Sequence, residues 1–250
     1  MASQSSIEWT EQTWNPSTGC TKVSPGCKNC YAEVMARRLT AMGASGYDNG
    51  FKLTQHASRL RQPLERKKAT TYFVNSMSDL FHEDVEDSFL DQVFDVVRAT
   101  PQHTYQILTK RAERLPQYFS NRDCPQNVWL GVSVEDRKYG IPRIEYLRQV
   151  NAHIRFLSVE PLLEDLGELE LKDIHWIIVG GESGHKARPM HESWALSVQQ
   201  EAKRAGTAFF FKQWGGWGAD GVRRHKKANG RSLGGKTWDS YPVIPIKIAA

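Results

Sequence analysis

The 250-residue sequence has few cysteines, no long apolar run and no leader-like start. Four cysteines are few for a disulfide framework, and three of them stand within eleven residues, a pattern typical of metal binding or catalysis in a reducing compartment. The lack of a run of about 18 apolar residues argues against a membrane span. The first residues lack a basic segment followed by an apolar one, so they do not form a secretory signal. We therefore expect a cytoplasmic protein without a membrane partner.

Apolar residues make up 40% of the chain and charged residues 24%, as in a globular domain. The net charge of +5 is modest, but basic residues cluster at 59–68 and again at 223–236. Either cluster alone is explained by a solvated surface. Together they indicate a polyanionic partner such as nucleic acid.

Short apolar or β-branched runs recur along the chain, separated by polar turn residues. They lie at 71–75, 104–108, 128–134, 154–159, 175–179 and 207–211. Runs of this length are typical of buried strands, and a further short strand is expected before Cys20.

Helical patterns lie between these runs. Residues 84–99 place apolar side chains at fourfold spacing, with Asp84 as the candidate N-cap and Pro101 as the stop. Residues 191–205, ending at Gly206, repeat the pattern, and Tyr31–Met42 is a third candidate.

The alternation of strands and helices predicts an α/β fold, a full or partial (β/α) barrel over residues 1–212. Residues 213–250 change character, being rich in Gly, Trp and basic residues, and we expect an irregular basic extension packed on the barrel. Function in such barrels collects at the C-terminal ends of the strands.

Those strand ends carry an unusual number of polar residues. They are 75–79, 109–111, 133–136, 158–161, 180–184 and 212–215. A single member is explained as a cap or turn residue, whereas polar residues after all six runs predict one large, charged, concave site.

Cys20, Cys27 and Cys30 form the strongest motif in the chain. Thiolates are soft ligands that suit zinc or iron–sulfur clusters. Three ligands favour a [4Fe–4S] cluster with one iron open to a small molecule, because structural zinc usually takes four protein ligands. The alternatives are zinc with His56 or His82 as the fourth ligand, and three reduced structural cysteines. Cys124 stands apart and is interpreted as a bystander.

The motifs WTEQTWNPSTGC, CKNCYAE, LTKRAERL, RFLSVEPL, WIIVGGESG and FFFKQWGGW resemble the phage Gp37/Gp68 family, also called three-Cys-motif proteins. Three cysteines in a loop after the first strand of a barrel also resemble the radical S-adenosylmethionine superfamily. That resemblance implies a cluster that binds and reduces S-adenosylmethionine, releasing a deoxyadenosyl radical. Thr109-Lys110 is similar to a strand end of the spore photoproduct lyases, which repair thymine dimers in DNA.

The resemblance implies roles for the strand-end residues. The predicted cofactor-binding residues are Asn29, Tyr31, Ser76, Ser78, Asp79, Gly180 and Gly181. The predicted catalytic residues are Lys110, Glu135, Glu160 and Glu182. Lys110 either neutralises a carboxylate or phosphate or forms an internal salt bridge, and Ser76–Asp79 either hold the cofactor or cap a helix.

The C-terminal region contributes the predicted nucleic-acid contacts. They are Lys212, Trp214, Trp217, Arg223, Arg224, Lys226 and Lys227, with the tryptophans as stacking platforms or as caps of the barrel end. The first hypothesis is a radical enzyme that repairs or modifies a base in nucleic acid. The second hypothesis is a non-catalytic nucleic-acid-binding protein whose structure the metal stabilises. The third is a radical enzyme with a small-molecule or protein substrate. A need for an accessory protein is left open.

Overall fold

A curled, open-sided sheet dominates the computed structural model, which describes residues 3–5 and 7–243. The strands are β1 (Ser3–Gln4), β2 (Gln12–Trp14), β3 (Ser17–Thr18), β4 (Thr54–Gln55), β5 (Thr71–Val74), β6 (Thr104–Thr109), β7 (Val128–Ser133), β8 (Ile154–Val159), β9 (Trp176–Gly180) and β10 (Ala208–Gln213). The sheet order is β1-β2-β5-β6-β7-β8-β9-β10. All neighbours from β2 to β10 are parallel, and β1 is antiparallel to β2. The predicted partial barrel is confirmed as a seven-strand half-barrel.

Helices lie between and beside the strands along the described chain. They are α1 (Tyr31–Ala41), α2 (Ala57–Leu60), α3 (Asp87–Ala99), α4 (Arg114–Tyr118), α5 (Pro142–Arg148), α6 (Glu192–Ala205) and α7 (Lys226–Asn229). Gly206 ends α6 in the left-handed conformation, at a φ of 69° that glycine adopts without strain. No helix within the described ranges is long and apolar enough to cross a membrane.

The predicted start of α3 was wrong. The helix begins at Asp87 with Glu86 at the N-cap position, and not at Asp84. The reason lies in the buried His82, whose Nδ1 accepts the Asp84 backbone N–H at 3.1 Å and whose carbonyl accepts the Val85 N–H. These bonds hold the chain in a turn before the helix starts.

The strand residues divide between two apolar cores because alternate side chains point to opposite faces. On the convex face they join the helices in the main core. On the concave face a smaller aromatic core includes Trp9, Phe156 and Trp176. Trp176 is aligned with Phe156 of β8 and Ala208 of β10, at the N-terminal ends of the strands. This filling leaves the other end of the half-barrel, which we call the mouth, to polar side chains.

Other parts of the chain cover both edges of the half-barrel. The β1 strand pairs with β2, and on the opposite edge Phe211 N–H donates to Trp238 O while Ser240 N–H donates to Phe209 O. Covered edges explain why the sheet stays open without exposing unpaired strand groups. A domain division at residue 213 stays a prediction, and residues 244–250 of the predicted extension lie outside the described residues.

Candidate active site

Two lysines at the C-terminal ends of different strands point into the mouth. Lys110 follows β6 and donates from Nζ to the Ser133 hydroxyl at 2.9 Å. Lys212 of β10 lies 3.1 Å from Oε1 of Glu160, whose other oxygen accepts from Ser158 at 3.3 Å. The side chains of Glu160 and Lys212 are partly exposed, at 15% and 19%. These residues therefore form a polar surface that a ligand can reach.

Gly180 and Gly181 are required by packing within the protein. A Cβ atom on Gly180 would lie 2.5 Å from Oε1 of Glu160, and one on Gly181 would lie 1.9 Å from the carbonyl oxygen of Trp214. Gly180 makes room for Glu160 at the mouth. Gly181 lies buried beneath the Trp214 backbone, which does not fit the predicted cofactor contact.

The loop that carries the three cysteines, residues 20–30, lies against the mouth. Gly19 precedes it with a φ of 84°, and a Cβ atom there would lie 2.1 Å from the Lys52 carbonyl oxygen, so glycine is needed. Gly19 N–H donates to Met77 O at 3.0 Å. Cys30 occupies the N-cap position of α1.

Glu135 holds the middle of this loop. Its side chain is fully buried and forms a 2.7 Å ion pair with Arg143 of α5. The Ser24 hydroxyl donates to its other oxygen, and a Cβ atom on Gly26 would lie 2.8 Å from it. Burial opposes ionisation, yet the charges of Lys110 and Arg143 hold the pKa of Glu135 below its ordinary value.

Glu182 holds the end of the loop in the same way. Arg188 donates to both of its oxygens, at 2.9 and 2.6 Å, and Asn29 Nδ2 donates to it at 3.0 Å. Burial opposes ionisation here too, but the Arg188 hydrogen bonds keep the pKa of Glu182 below its ordinary value. Both carboxylates are thus committed to arginine pairs, which does not fit their predicted catalytic role. We call the two pairs with their loop contacts the arginine clamps.

A third set of contacts holds the start of the loop. Arg111 donates to the Thr21 hydroxyl at 2.6 Å and lies 3.2 Å from the Asp79 carboxylate. Asp79 also accepts from the Thr109 hydroxyl at 2.7 Å and from the Lys110 backbone at 2.9 Å. The buried Asp79 is therefore saturated by bonds within the protein, which leaves it poorly suited to the predicted cofactor contact.

The remaining predicted cofactor residues lie at the edge of the mouth beside β5. The Ser78 hydroxyl bonds to the Ser17 hydroxyl at 2.9 Å, and Ser76 donates to Asn15 Oδ1 at 3.1 Å. Tyr31 donates from its hydroxyl to the Ser76 carbonyl. The structure brings Tyr31 and Ser76 together, as a shared cofactor site requires.

The donor chemistry of the loop fits an iron–sulfur cluster. Cys20, Cys27 and Cys30 are free thiols of intermediate exposure within one loop. Over residues 3–5 and 7–243, no three His, Cys, Asp or Glu side chains stand at ligating distance, so the thiols must move together to share a metal. The fit therefore rests on donor type and loop placement.

The two histidines considered as a fourth zinc ligand are engaged elsewhere. His82 is fully buried, with Nε2 bonded to the Thr21 hydroxyl at 2.9 Å and Nδ1 accepting from Asp84. His56 Nε2 bonds to the Thr18 hydroxyl at 2.8 Å. Zinc coordination by either ring through these nitrogens would break such bonds, and this favours the three-thiolate set.

The four thiols are expected to differ in reactivity. Burial raises the pKa of Cys124 to about 12, and burial together with the Asp79 carboxylate raises that of Cys20 to about 11. Because the thiolate is the nucleophile, Cys124 should react on the order of a thousandfold more slowly than an ordinary thiol. In native, metal-free protein, DTNB at pH 8 should label Cys27 and Cys30 first, Cys20 later and Cys124 only after unfolding. Early labelling of Cys124, located by peptide mapping, would contradict this order.

The predicted nucleic-acid residues do not form one patch. Trp214 is 2% exposed and donates from Nε1 to Ser232 O, which does not fit a stacking platform and fits the alternative of a cap on the barrel end. Trp217 is partly exposed, and its Nε1 donates to Ala187 O at 2.7 Å. Arg224 is paired with Asp220 at 2.6 Å. The predicted residues left with an exposed charge and no ion pair in the described structure are Arg223 and Lys227, and Lys226 is partly exposed.

Sequence reasoning missed the residues that hold the loop. Arg143, Arg188 and Ser24 belong to no motif in the sequence, and Arg111 stands out there only as a polar residue after a strand. The signal available was spacing: an arginine follows Glu135 by eight residues and Glu182 by six. Spacing alone, however, does not show that α5 places Arg143 against Glu135, or that the loop before α6 places Arg188 against Glu182.

The comparisons with known proteins agree with this architecture. A family model described as "Protein of unknown function (DUF5131)" matches residues 4–242. The chain belongs to this family. The resemblance of this DUF5131 protein to the phage Gp37/Gp68 family stays a prediction, and a search of curated proteins found no match.

Solved structures of spore photoproduct lyase share the fold of this DUF5131 chain. A cysteine-to-serine mutant of that lyase aligns with a TM-score of 0.51 and 15% identity, over 82% of this chain and 64% of the lyase. The lyase complexed with dinucleoside spore photoproduct aligns with a TM-score of 0.49 and 13% identity over the same shares. The chain thus spans 64% of the lyase length. The first likeness shows that the half-barrel shares the fold of spore photoproduct lyase.

Proposed function

We propose that this protein is a radical S-adenosylmethionine enzyme that acts on nucleic acid, repairing or modifying a base. The observation that carries the proposal is the placement of the three-cysteine loop against the mouth of the half-barrel, beside Lys110 and Lys212. This half-barrel shares its fold with spore photoproduct lyase. When bound, a reduced [4Fe–4S] cluster supplies the electron that cleaves S-adenosylmethionine and releases a deoxyadenosyl radical.

The three cysteines would hold the cluster, and the mouth residues would bind and orient S-adenosylmethionine. Lys110 donates to the neutral Ser133 hydroxyl, and its charge lowers the pKa of the buried Glu135. The same ammonium group faces the mouth, where it would attract the carboxylate of S-adenosylmethionine. Glu160 lies at the same mouth and suits the ribose hydroxyls, while its ion pair with Lys212 orients it. The arginine clamps and the smaller aromatic core on the concave face then exclude water from one side of the site.

A nucleic-acid substrate is supported by exposed positive charge on both sides of the mouth. Arg223 and Lys227 lie on the C-terminal extension, and Lys28 lies on the cysteine loop. Such charges attract phosphate. In the non-catalytic alternative, the metal serves only to hold the loop in place. This is less favoured because side-chain hydrogen bonds to residues after β6, β7 and β9 already hold the loop.

Cleavage of S-adenosylmethionine tests this function. Reconstituted protein with dithionite and S-adenosylmethionine should release 5′-deoxyadenosine, quantified by liquid chromatography. Lys110→Ala should weaken S-adenosylmethionine binding by about tenfold, because one charge-assisted hydrogen bond is lost, while the cluster absorption stays unchanged. Lys172→Ala on the exposed surface serves as the matched control. Absence of cleavage by protein with an intact cluster would contradict the enzyme proposal.

A further inference from the structure

The positive charge of this protein is concentrated beside the cysteine loop. Residues 22–61 contain seven lysines and arginines and two acidic residues, a net charge of +5 that equals the net charge of the whole chain. The other residues together are therefore neutral. Such an asymmetry directs a polyanion to one flank of the molecule.

Most of this charge is free to meet a partner. Glu33 is the acidic residue that forms ion pairs here, with Lys22 at 2.9 Å and Arg37 at 2.6 Å. The cations of the segment with neither an ion pair nor a side-chain hydrogen bond in the described structure are Lys28, Arg38, Lys52 and Arg61. Lys28 and Arg38 are exposed on the loop and on α1.

One face of α1 exposes apolar side chains among these cations. Tyr31 is 57% exposed, Val34 48%, Met35 41% and Met42, just after the helix, 78%. With Arg38 they follow helical spacing along one face, and we call this set the α1 stripe. The opposite face is the one that packs inward, through the buried Ala32 and Ala36. The Val34, Met35 and Met42 side chains of the α1 stripe are therefore largely left uncovered by the described part of the chain.

The α1 stripe begins at the mouth. Tyr31 follows the predicted cluster ligand Cys30, and its hydroxyl donates to Ser76 O after β5. The neighbouring Asn29 donates to Lys186 O at 2.8 Å, which places the exposed Lys186 on the same rim. A strand that lies on the stripe would thus be led into the site.

We propose that the α1 stripe binds an unstacked strand of nucleic acid next to the mouth. Lys28 and Arg38 contact phosphates, and Met35 and Met42 lie against base faces. Apolar side chains among cations are what an unstacked strand requires, because every base presents an apolar face between charged phosphates. This inference rests on the nucleic-acid part of the proposed function, and it locates the main contact on α1 and not on the C-terminal extension, where Arg224 and Arg231 are paired with aspartates.

Binding of a fluorescein-labelled 12-nucleotide single-stranded DNA, followed by anisotropy at several salt concentrations, tests the surface in full-length protein. Lys28→Glu with Arg38→Glu should weaken binding at least tenfold and lower the salt slope by about 1.4, because two phosphate contacts are lost from a single strand. Met35→Gln with Met42→Gln should weaken binding about fivefold for each methionine and leave the slope unchanged. Lys172→Glu and Val222→Gln are the matched exposed controls.

The outcomes separate this inference from the proposed chemistry. In one outcome both α1 variants bind DNA like the parent, and the double variant Arg223→Glu and Lys227→Glu loses binding. This would overturn the proposed role of the α1 stripe and leave the enzyme proposal intact. Intact binding without 5′-deoxyadenosine release would overturn the enzyme proposal alone. No binding by the parent protein at low salt would overturn both nucleic-acid claims. Thermal unfolding of each variant identifies any that fails to fold, in which case Arg38→Gln replaces the charge reversal.

Discussion

Anaerobic reconstitution with iron and sulfide is expected to give brown protein with about four irons and four sulfides per chain. Cys27→Ser is expected to lose essentially all of this iron, because a cluster left with two thiolates is not retained. Cys27 is the ligand to change first, since it lies at the centre of the loop between the two arginine clamps. Iron and sulfide analysis, together with the absorption near 400 nm that is usual for such clusters, measures the result.

Cys124→Ser is the matched control for this prediction. Cys124 is buried at 8% exposure in the main core, away from the mouth, and its replacement should leave the iron content unchanged. Colourless protein carrying one zinc per chain, lost on substitution of His56 or His82, would instead establish the structural-metal alternative. In that case the description of the half-barrel would remain valid, and the proposal of radical chemistry would be wrong.

Arg143→Met is expected to destabilise the protein by about 3–5 kcal/mol, because it removes the ion-pair partner of the buried Glu135 carboxylate and leaves the Lys110 charge to offset it. In the described structure the Glu135 side chain has no solvent exposure, and its second oxygen accepts from the Ser24 hydroxyl. The loop around Cys27 should become mobile at the same time. Urea unfolding measures the free energy, and the rate of alkylation of Cys27 in metal-free protein reports the loop.

Two further variants make this prediction specific. Glu135→Gln with Arg143→Met removes both charges and should recover part of the lost stability, because no uncompensated ion remains. Glu145→Gln breaks an exposed pair with Arg148 on the same helix and should cost less than about 1 kcal/mol. If Arg143→Met proves as mild as Glu145→Gln, the clamp does not hold the loop.

Local patterns were sufficient to locate the strands. The runs predicted at 104–108 and 154–159 correspond to Thr104–Thr109 and Ile154–Val159. A buried parallel strand must be apolar on both faces, and that requirement is visible in any single run. The start of α3 was not visible, because it depends on hydrogen bonds from the buried His82 and not on helical propensity.

The roles of the strand-end carboxylates could not be predicted from their positions. Glu135, Glu160 and Glu182 all follow strands and look alike in the sequence. In the structure Glu135 is paired with the buried Arg143 and Glu182 with the partly exposed Arg188, and of the three carboxylates only Glu160 remains partly exposed, beside Lys212. The difference is set by which helix or loop returns over each carboxylate, and this depends on packing between distant segments.

The sequence by itself determined the half-barrel, the polar strand ends and the thiol donors, because periodicity and ligand chemistry are properties of neighbouring residues. Only the tertiary structure decided which polar groups stay available to a ligand. Burial raises the cost of an unpaired charge, so Glu135 and Glu182 form ion pairs with the arginines that the fold brings near them. Glu135 and Glu182 became loop anchors for this reason, while Lys110, Glu160 and Lys212 face the mouth.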